Sequence, residues 1–319
     1  MVFRFSRKTV FFLFFSLALL LSCQTAPVIA GSFQEEGDFV PLDAGASAYI
    51  FADMNYARSL LHIFPFADIG NRQTRQMIDR TETAAVAVFP EESERHFQLV
   101  MMGRYPTARS NMALRSNRQW RRQRSDYGVF WQSRLEEMSL AMSQQNFFLA
   151  TWREPDTAGH PFAAAPGIQL PQGFADFKRG AAVSIWLDDP GPSIDNLFQS
   201  MGIPLQLPAE SVFVSLFQAG EELYEATIRL RLATAIEAAG IASILNLARG
   251  FMMLASPGMQ VAAGGAADAA AAQDAVALLT AVLFTNPPSV HGRDVEIQTA
   301  ALNESEIVLL MAVFSAVLD

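Results

Sequence analysis

Two adjacent carboxylates, Asp188 and Asp189, close a strand-like run and form the obvious pair for acid–base work or for a divalent cation. Successive strand residues point to opposite faces, however, and Pro190-Gly191 follows at once, so the pair reads as a solvated turn. The four histidines, His62, His96, His160 and His291, lie in separate elements without metal-ligand spacing. There is no His-Glu-x-x-His, no Gly-x-Ser-x-Gly elbow, no P-loop and no dinucleotide fingerprint. No residue receives a catalytic, metal or cofactor role. The expectation is a protein that is not an enzyme, with a site assembled from distant residues as the remaining enzymatic alternative.

The lone cysteine carries a different chemistry. Cys23 is the one thiol in 319 residues, which excludes a disulfide framework and any thiolate metal cluster. Arg4, Arg7 and Lys8 precede an uncharged, mostly apolar run from Val10 to Leu21. That run is too short for a span of about 20 residues and matches a signal peptide over residues 1–22. It ends at Leu20-Leu21-Ser22-Cys23, apolar at −3 and small at −1, which resembles the lipobox of bacterial lipoproteins. The resemblance implies a diacylglyceryl cysteine at Cys23, cleavage before it, and a further acyl chain such as palmitate on the new amino group. An ordinary signal cut near Ala26 or Ala30 is the alternative. Acyl chains contribute about 0.8 kcal/mol per buried methylene, so two or three hold a protein on a membrane. Gln24 follows the cysteine, where inner-membrane lipoproteins of enteric bacteria carry aspartate. The expected address is therefore the outer membrane, in either leaflet.

Charge is distributed unevenly. Removing the signal leaves 20 basic and 32 acidic residues, net −12, and that balance argues against nucleic-acid binding. Yet Arg95 to Arg124 holds eight arginines (95, 104, 109, 115, 118, 121, 122, 124) and no acid. Arg115, Arg118 and Arg122 fall at helical spacing and predict one basic face. Arg115, Arg118, Arg121, Arg122 and Arg124 are the candidate contacts for an anionic surface such as anionic lipid. Trp120, Tyr127 and Trp131 lie close by, and such side chains suit a headgroup layer. A solvated face balanced by acids elsewhere in the fold is the other reading.

A second feature is apolar. Thr234 to Ala255 predicts a long helix with only Glu237 and Arg249 charged and a narrow polar stripe of Ser243, Asn246 and Arg249. Its residues Ile244, Leu247, Phe251 and Leu254 are candidate membrane or lipid contacts. Glu304 to Leu318 predicts a final helix just as apolar, opened by a capping box of Asn303 and Glu306. Both helices serve equally as ordinary core packed on a sheet.

The elements that must position these residues form two similar series. Residues 48–53 and 182–188 read as strands, each followed by a short amphipathic helix at 56–63 and 194–201. Strand pairs follow at 84–89 with 96–105 and at 212–217 with 224–232, of which 96–105 and 224–232 alternate, and helices begin at Thr107 and Thr234. Further strands are expected at 127–132, 138–142, 146–152 and 294–299. The fold class expected is α+β, with two related strand-helix-hairpin-helix modules and long apolar helices in the C-terminal half. The domains expected are a signal peptide at 1–22, a tether at 23–46, a first module at 47–154, a Pro/Gly-rich linker at 155–180 and a second module at 181–319.

This layout resembles, in order and composition, the spirochaetal membrane-inserting outer-membrane lipoproteins, which join a lipobox signal to an α+β body with amphipathic helices. The resemblance implies a lipid-anchored cell-envelope protein, without cofactor, that engages membrane lipid or another apolar ligand. An anchored protein-interaction or envelope-assembly module is the alternative. No residue beyond the lipobox carries a role over from that family.

Overall fold

Strands, several with alternating apolar and polar side chains, dominate the regular structure of the described residues. The computed structural model describes residues 39–40, 42–61, 72–90, 96–125, 128–135, 137–142, 146–151, 168–190, 208–254 and 286–308. The lipobox, His62, Arg95, His160 and the helix expected at 194–201 lie outside them. The chain divides into two compact units at Val183/Ser184.

The first unit contains β1 (Phe39–Val40), β2 (Ala48–Asp53), α1 (Met54–Ala57), α2 (Arg72–Arg80), β3 (Thr81–Val88) and β4 (Phe97–Gly103). It continues with α3 (Thr107–Ser116), β5 (Trp120–Ser125), β6 (Gly128–Ser133), β7 (Ser139–Met142), β8 (Asn146–Ala150), β9 (Ile168–Gln169) and α4 (Phe174–Phe177). Seven strands run in the order β2-β3-β4-β8-β7-β6-β5, which leaves β5 at the unit's edge. β1 pairs β9 separately, and within the expected tether Leu42 is fully buried and the Asp43 N–H donates to Gln98 Oε1 at 2.7 Å.

Apolar side chains of α2, α3 and the strands close one core: Met77, Met101, Leu114, Trp120, Trp131, Leu140, Phe147 and Leu149 are all buried there. Each such side chain contributes roughly 1.5–3 kcal/mol on burial. Two polar links fix the helices over that core. Trp131 Nε1 donates to Asn111 Oδ1 at 2.8 Å, tying β6 to α3. Thr81 Oγ1 donates to the Met77 carbonyl at 2.8 Å, and the Tyr105 hydroxyl lies 2.8 Å from that same oxygen. Burial holds the Tyr105 hydroxyl protonated well above its ordinary range.

The second unit contains β10 (Val183–Asp188), β11 (Ala209–Gly220), β12 (Leu223–Leu232), α5 (Ala235–Leu254), β13 (Ser289–His291) and β14 (Asp294–Gln298), with strand order β13-β14-β12-β11-β10. Arg229 opposes Glu296 and Arg231 opposes Asp294 across β12 and β14. The Arg231 guanidinium grips both Asp294 oxygens, at 3.0 and 3.1 Å. A reciprocal cap opens α5: the Glu237 N–H donates to Thr234 Oγ1 and the Thr234 N–H to Glu237 Oε2. The same box forms between Asn303 and Glu306.

The expected fold class is corrected. Twelve strands in these two orders dominate the described residues, in place of strand-helix-hairpin-helix modules with long apolar helices. The first unit's helices are short, ten residues at most. Among the described residues the single extended helix is α5, and no helix there is long and apolar enough to cross a membrane. Of the final helix, residues 304–308 are described. The physical reason is long-range pairing: β4 takes β8 as its neighbour, Leu99 against Leu149, which local periodicity does not encode. The helical face expected of Arg115, Arg118 and Arg122 dissolves likewise. Arg115 closes α3, Arg118 sits in the turn, and Arg122 lies on β5.

Candidate functional site

α5 lies over its sheet with the smaller side chains inward. Ala238, Ile241 and Ala242 are buried, and the helix packs on β12, β13 and β14. Larger apolar residues face out: Ile236 is 85% exposed, Ile244 44% and Leu247 62%. At 100° per residue these three fall within one quadrant of the helix, with Gly240 between them. A surface helix ordinarily turns its apolar stripe to the core and its polar residues outward. Here Ser243 and Asn246 are outward as well, so the exposed side is mixed, with three large apolar side chains among polar ones. Phe251 and Leu254 belong to the last turn, whose side chains lie outside the description.

A second surface is cationic. Arg115, Arg118, Arg121, Arg122 and Arg124 are all exposed, and none forms an ion pair among the described residues. Three of them ride on β5, whose register is set by Trp120 opposite Ser133 and Trp131 opposite Arg122. The buried indoles of Trp120 and Trp131 thus hold the strand while its arginines stand in solvent. The Trp120 Nε1 itself is buried without an acceptor among the described residues. Gln123 Nε2 donates to Gln132 Oε1 across the same strand pair. The Arg134 N–H donates to the Gln119 carbonyl at 2.9 Å, which brings a sixth exposed arginine beside the turn.

The remaining sequence candidates stay apart. Asp188 and Asp189 are exposed; Asp189 adopts φ 47° and its N–H donates to the Glu210 carbonyl. Partial burial, then the neighbouring Asp189 charge, raise the Asp188 carboxyl above its ordinary range. His96 is exposed at the head of β4, and His291 meets Ser289 Oγ on β13. Among the described residues no three metal-ligating side chains come together. Sequence reasoning placed Ile236 on the apolar helix without counting it as a contact, and overlooked Met112, Leu135 and Arg134. The signal for Met112 was present, three residues before Arg115 on α3.

No family model matches the chain, and no curated protein matches it significantly. Solved structures of TP0453 do. Crystal form III has a TM-score of 0.54 at 14% identity, over 85% of this chain and 96% of that chain. Form I gives 0.52 at 17%, over 87% and 96%. Form IV gives 0.53 at 15%, over 89% and all of that chain. At these identities the likeness is one of fold.

Proposed function

We propose that this chain is a lipid-anchored cell-envelope protein, held at Cys23 and engaging membrane lipid through the outward face of α5, with no catalytic role. The observation that carries the reading is the apolar outer face of that helix, with Ile236, Ile244 and Leu247 outside while Ala238, Ile241 and Ala242 pack inside. Apolar surface is worth roughly 25 cal/mol per Å² when it leaves water, so a row of such side chains favours a lipid interior. The anchor implied by the lipobox keeps that face near a bilayer, at the outer membrane. α5 does not need to span; an apolar stripe on a folded body lies in the interface plane.

The test uses the mature chain, residues 23–319, with Cys23→Ala, so that neither the apolar signal segment nor an acyl chain masks the effect. Neutral phosphatidylcholine vesicles should retain it, and Ile236→Gln, Ile244→Gln and Leu247→Gln together should release it without changing the fold. Equal retention of the triple variant would end the proposal. Release of the protein by a soluble partner, with no vesicle retention, would favour an anchored interaction module instead.

A further inference from the structure

We infer that the β5 edge is an orienting surface for an anionic membrane, with Arg115, Arg118, Arg121, Arg122 and Arg124 meeting lipid phosphates. The inference rests on the membrane reading above for where the protein resides, and it concerns the other unit of the chain.

Three observations carry it. The first is a contrast with five other arginines; apart from them, Arg58 donates to the Asp79 and Thr81 carbonyls, and Arg109 is exposed like the block. Arg104, Arg179, Arg229, Arg231 and Arg293 each meet a carboxylate, on Glu82, Asp176, Glu296, Asp294 and Glu210. In a chain with surplus acid, five exposed guanidinium groups without a carboxylate among the described residues mark a surface whose counter-charge lies outside the fold. The second is rigidity. Buried Trp120 and Trp131 and the Trp131–Asn111 hydrogen bond clamp the strand pair to α3, so the charges sit on a fixed edge, Arg122 and Arg124 to one side of the strand and Arg121 to the other. The third is apolar: Met112, 74% exposed, lies one helical turn before Arg115, and Leu135, 65% exposed, follows Arg134. Basic groups interleaved with bare apolar side chains suit a headgroup boundary, where charge meets phosphate and the apolar side chain enters the acyl region.

A simpler role exists for charges on an edge strand, which is to repel other strands. That role needs charges on β5 alone. It does not account for Arg115 on α3, Arg118 in the turn, or the exposed Met112 and Leu135. Guanidinium geometry supports phosphate in particular, since the planar fork offers two parallel donors to one phosphate.

The mature chain, residues 23–319, with Cys23→Ala is mixed with phosphatidylcholine vesicles containing or lacking phosphatidylglycerol, and bound protein is measured by co-sedimentation. Affinity should be higher for the anionic vesicles, and that gain should collapse near 1 M salt, where the Debye length shrinks to about 3 Å. Each arginine near such a surface is worth roughly fivefold, so Arg121→Gln, Arg122→Gln and Arg124→Gln together should cost about a hundredfold on anionic vesicles. Binding to neutral vesicles, which reports on α5, should be unchanged by them. Arg115→Gln with Arg118→Gln, off the strand, should cost roughly twenty-fivefold. Arg179→Gln, which removes an already paired charge, should cost little. Equal affinity for both vesicle types, or full anionic binding by the triple variant, overturns the inference. So does tight binding to soluble polyglutamate with no preference for anionic lipid, which would assign the edge to an acidic protein. Loss of neutral binding in the α5 variant, with the anionic preference intact, separates the two claims.

Discussion

Gly103→Ala is the sharpest perturbation the first unit offers. Gly103 closes β4 opposite Thr81, where the β3–β4 register shifts. A Cβ there would lie 2.0 Å from the Arg80 carbonyl oxygen and 2.9 Å from Arg80 C and Thr81 Cα. These are backbone atoms and cannot swing aside as a side chain does, so the oxygen must retreat by about 1 Å to reach even the tightest ordinary contact of 3.0 Å. That oxygen accepts the Arg104 N–H at 3.0 Å, and its retreat forfeits the bond. Loss of the bond costs about 0.5–1.5 kcal/mol and overpacking a further 1–3 kcal/mol. Reduced freedom of the unfolded chain returns roughly 0.4–1 kcal/mol. The net expectation is a loss of about 0.5–4 kcal/mol, read by urea unfolding with tryptophan fluorescence as reporter. Gly240→Ala is the matching control: nothing lies within 4 Å of its added Cβ, and it sits inside α5. It should stabilise its unit by up to about 1 kcal/mol through helix propensity. A Gly103→Ala midpoint within about 0.5 kcal/mol of the parent would refute the reasoning.

Two further outcomes follow from named contacts. The Asp188 carboxyl is raised in the folded state, so the folded protein holds that proton more tightly, and ionisation of Asp188 lowers stability as pH rises through the carboxylate range. Asp188→Asn should therefore raise Tm at neutral pH and lose that advantage at acidic pH; the same gain at both would contradict the cause given. Thr234→Ala removes the acceptor of the α5 capping box and should cost about 1 kcal/mol, with fraying seen by amide exchange in the first turn of α5.

Strands with one buried face were legible from residue order. The runs at 96–105 and 224–232 alternate because one face is packed, and β4 and β12 appear there; 212–217 is a near-continuous apolar run because β11 is buried on both faces. The Asn303–Glu306 cap was legible for the same local reason, although the equivalent Thr234–Glu237 box went unread. β5 was not legible. Trp-Arg-Arg-Gln-Arg-Ser offers no apolar alternation, because an edge strand buries little beyond Trp120, and chance spacing of Arg115, Arg118 and Arg122 mimics a helix. The strand order was equally hidden, since β4 and β8 meet across some fifty residues. As for the candidate surfaces, composition singled out the arginine block and the apolar helix. Only packing tells which side of α5 faces out, because small alanines at 238 and 242 let the helix approach its sheet while Ile244 and Leu247 stay outside.

The central claim is contact between the α5 outer face and lipid, and a depth measurement tests it most directly. Cys23→Ala makes the chain cysteine-free, so Leu247→Cys then carries a polarity-sensitive fluorophore at one position. On neutral vesicles containing bromolipid, the label at 247 should shift to the blue and be quenched, while a label at exposed Asp176→Cys should do neither. A label at 247 that keeps its aqueous spectrum and escapes quenching on vesicles that retain the protein would contradict the account.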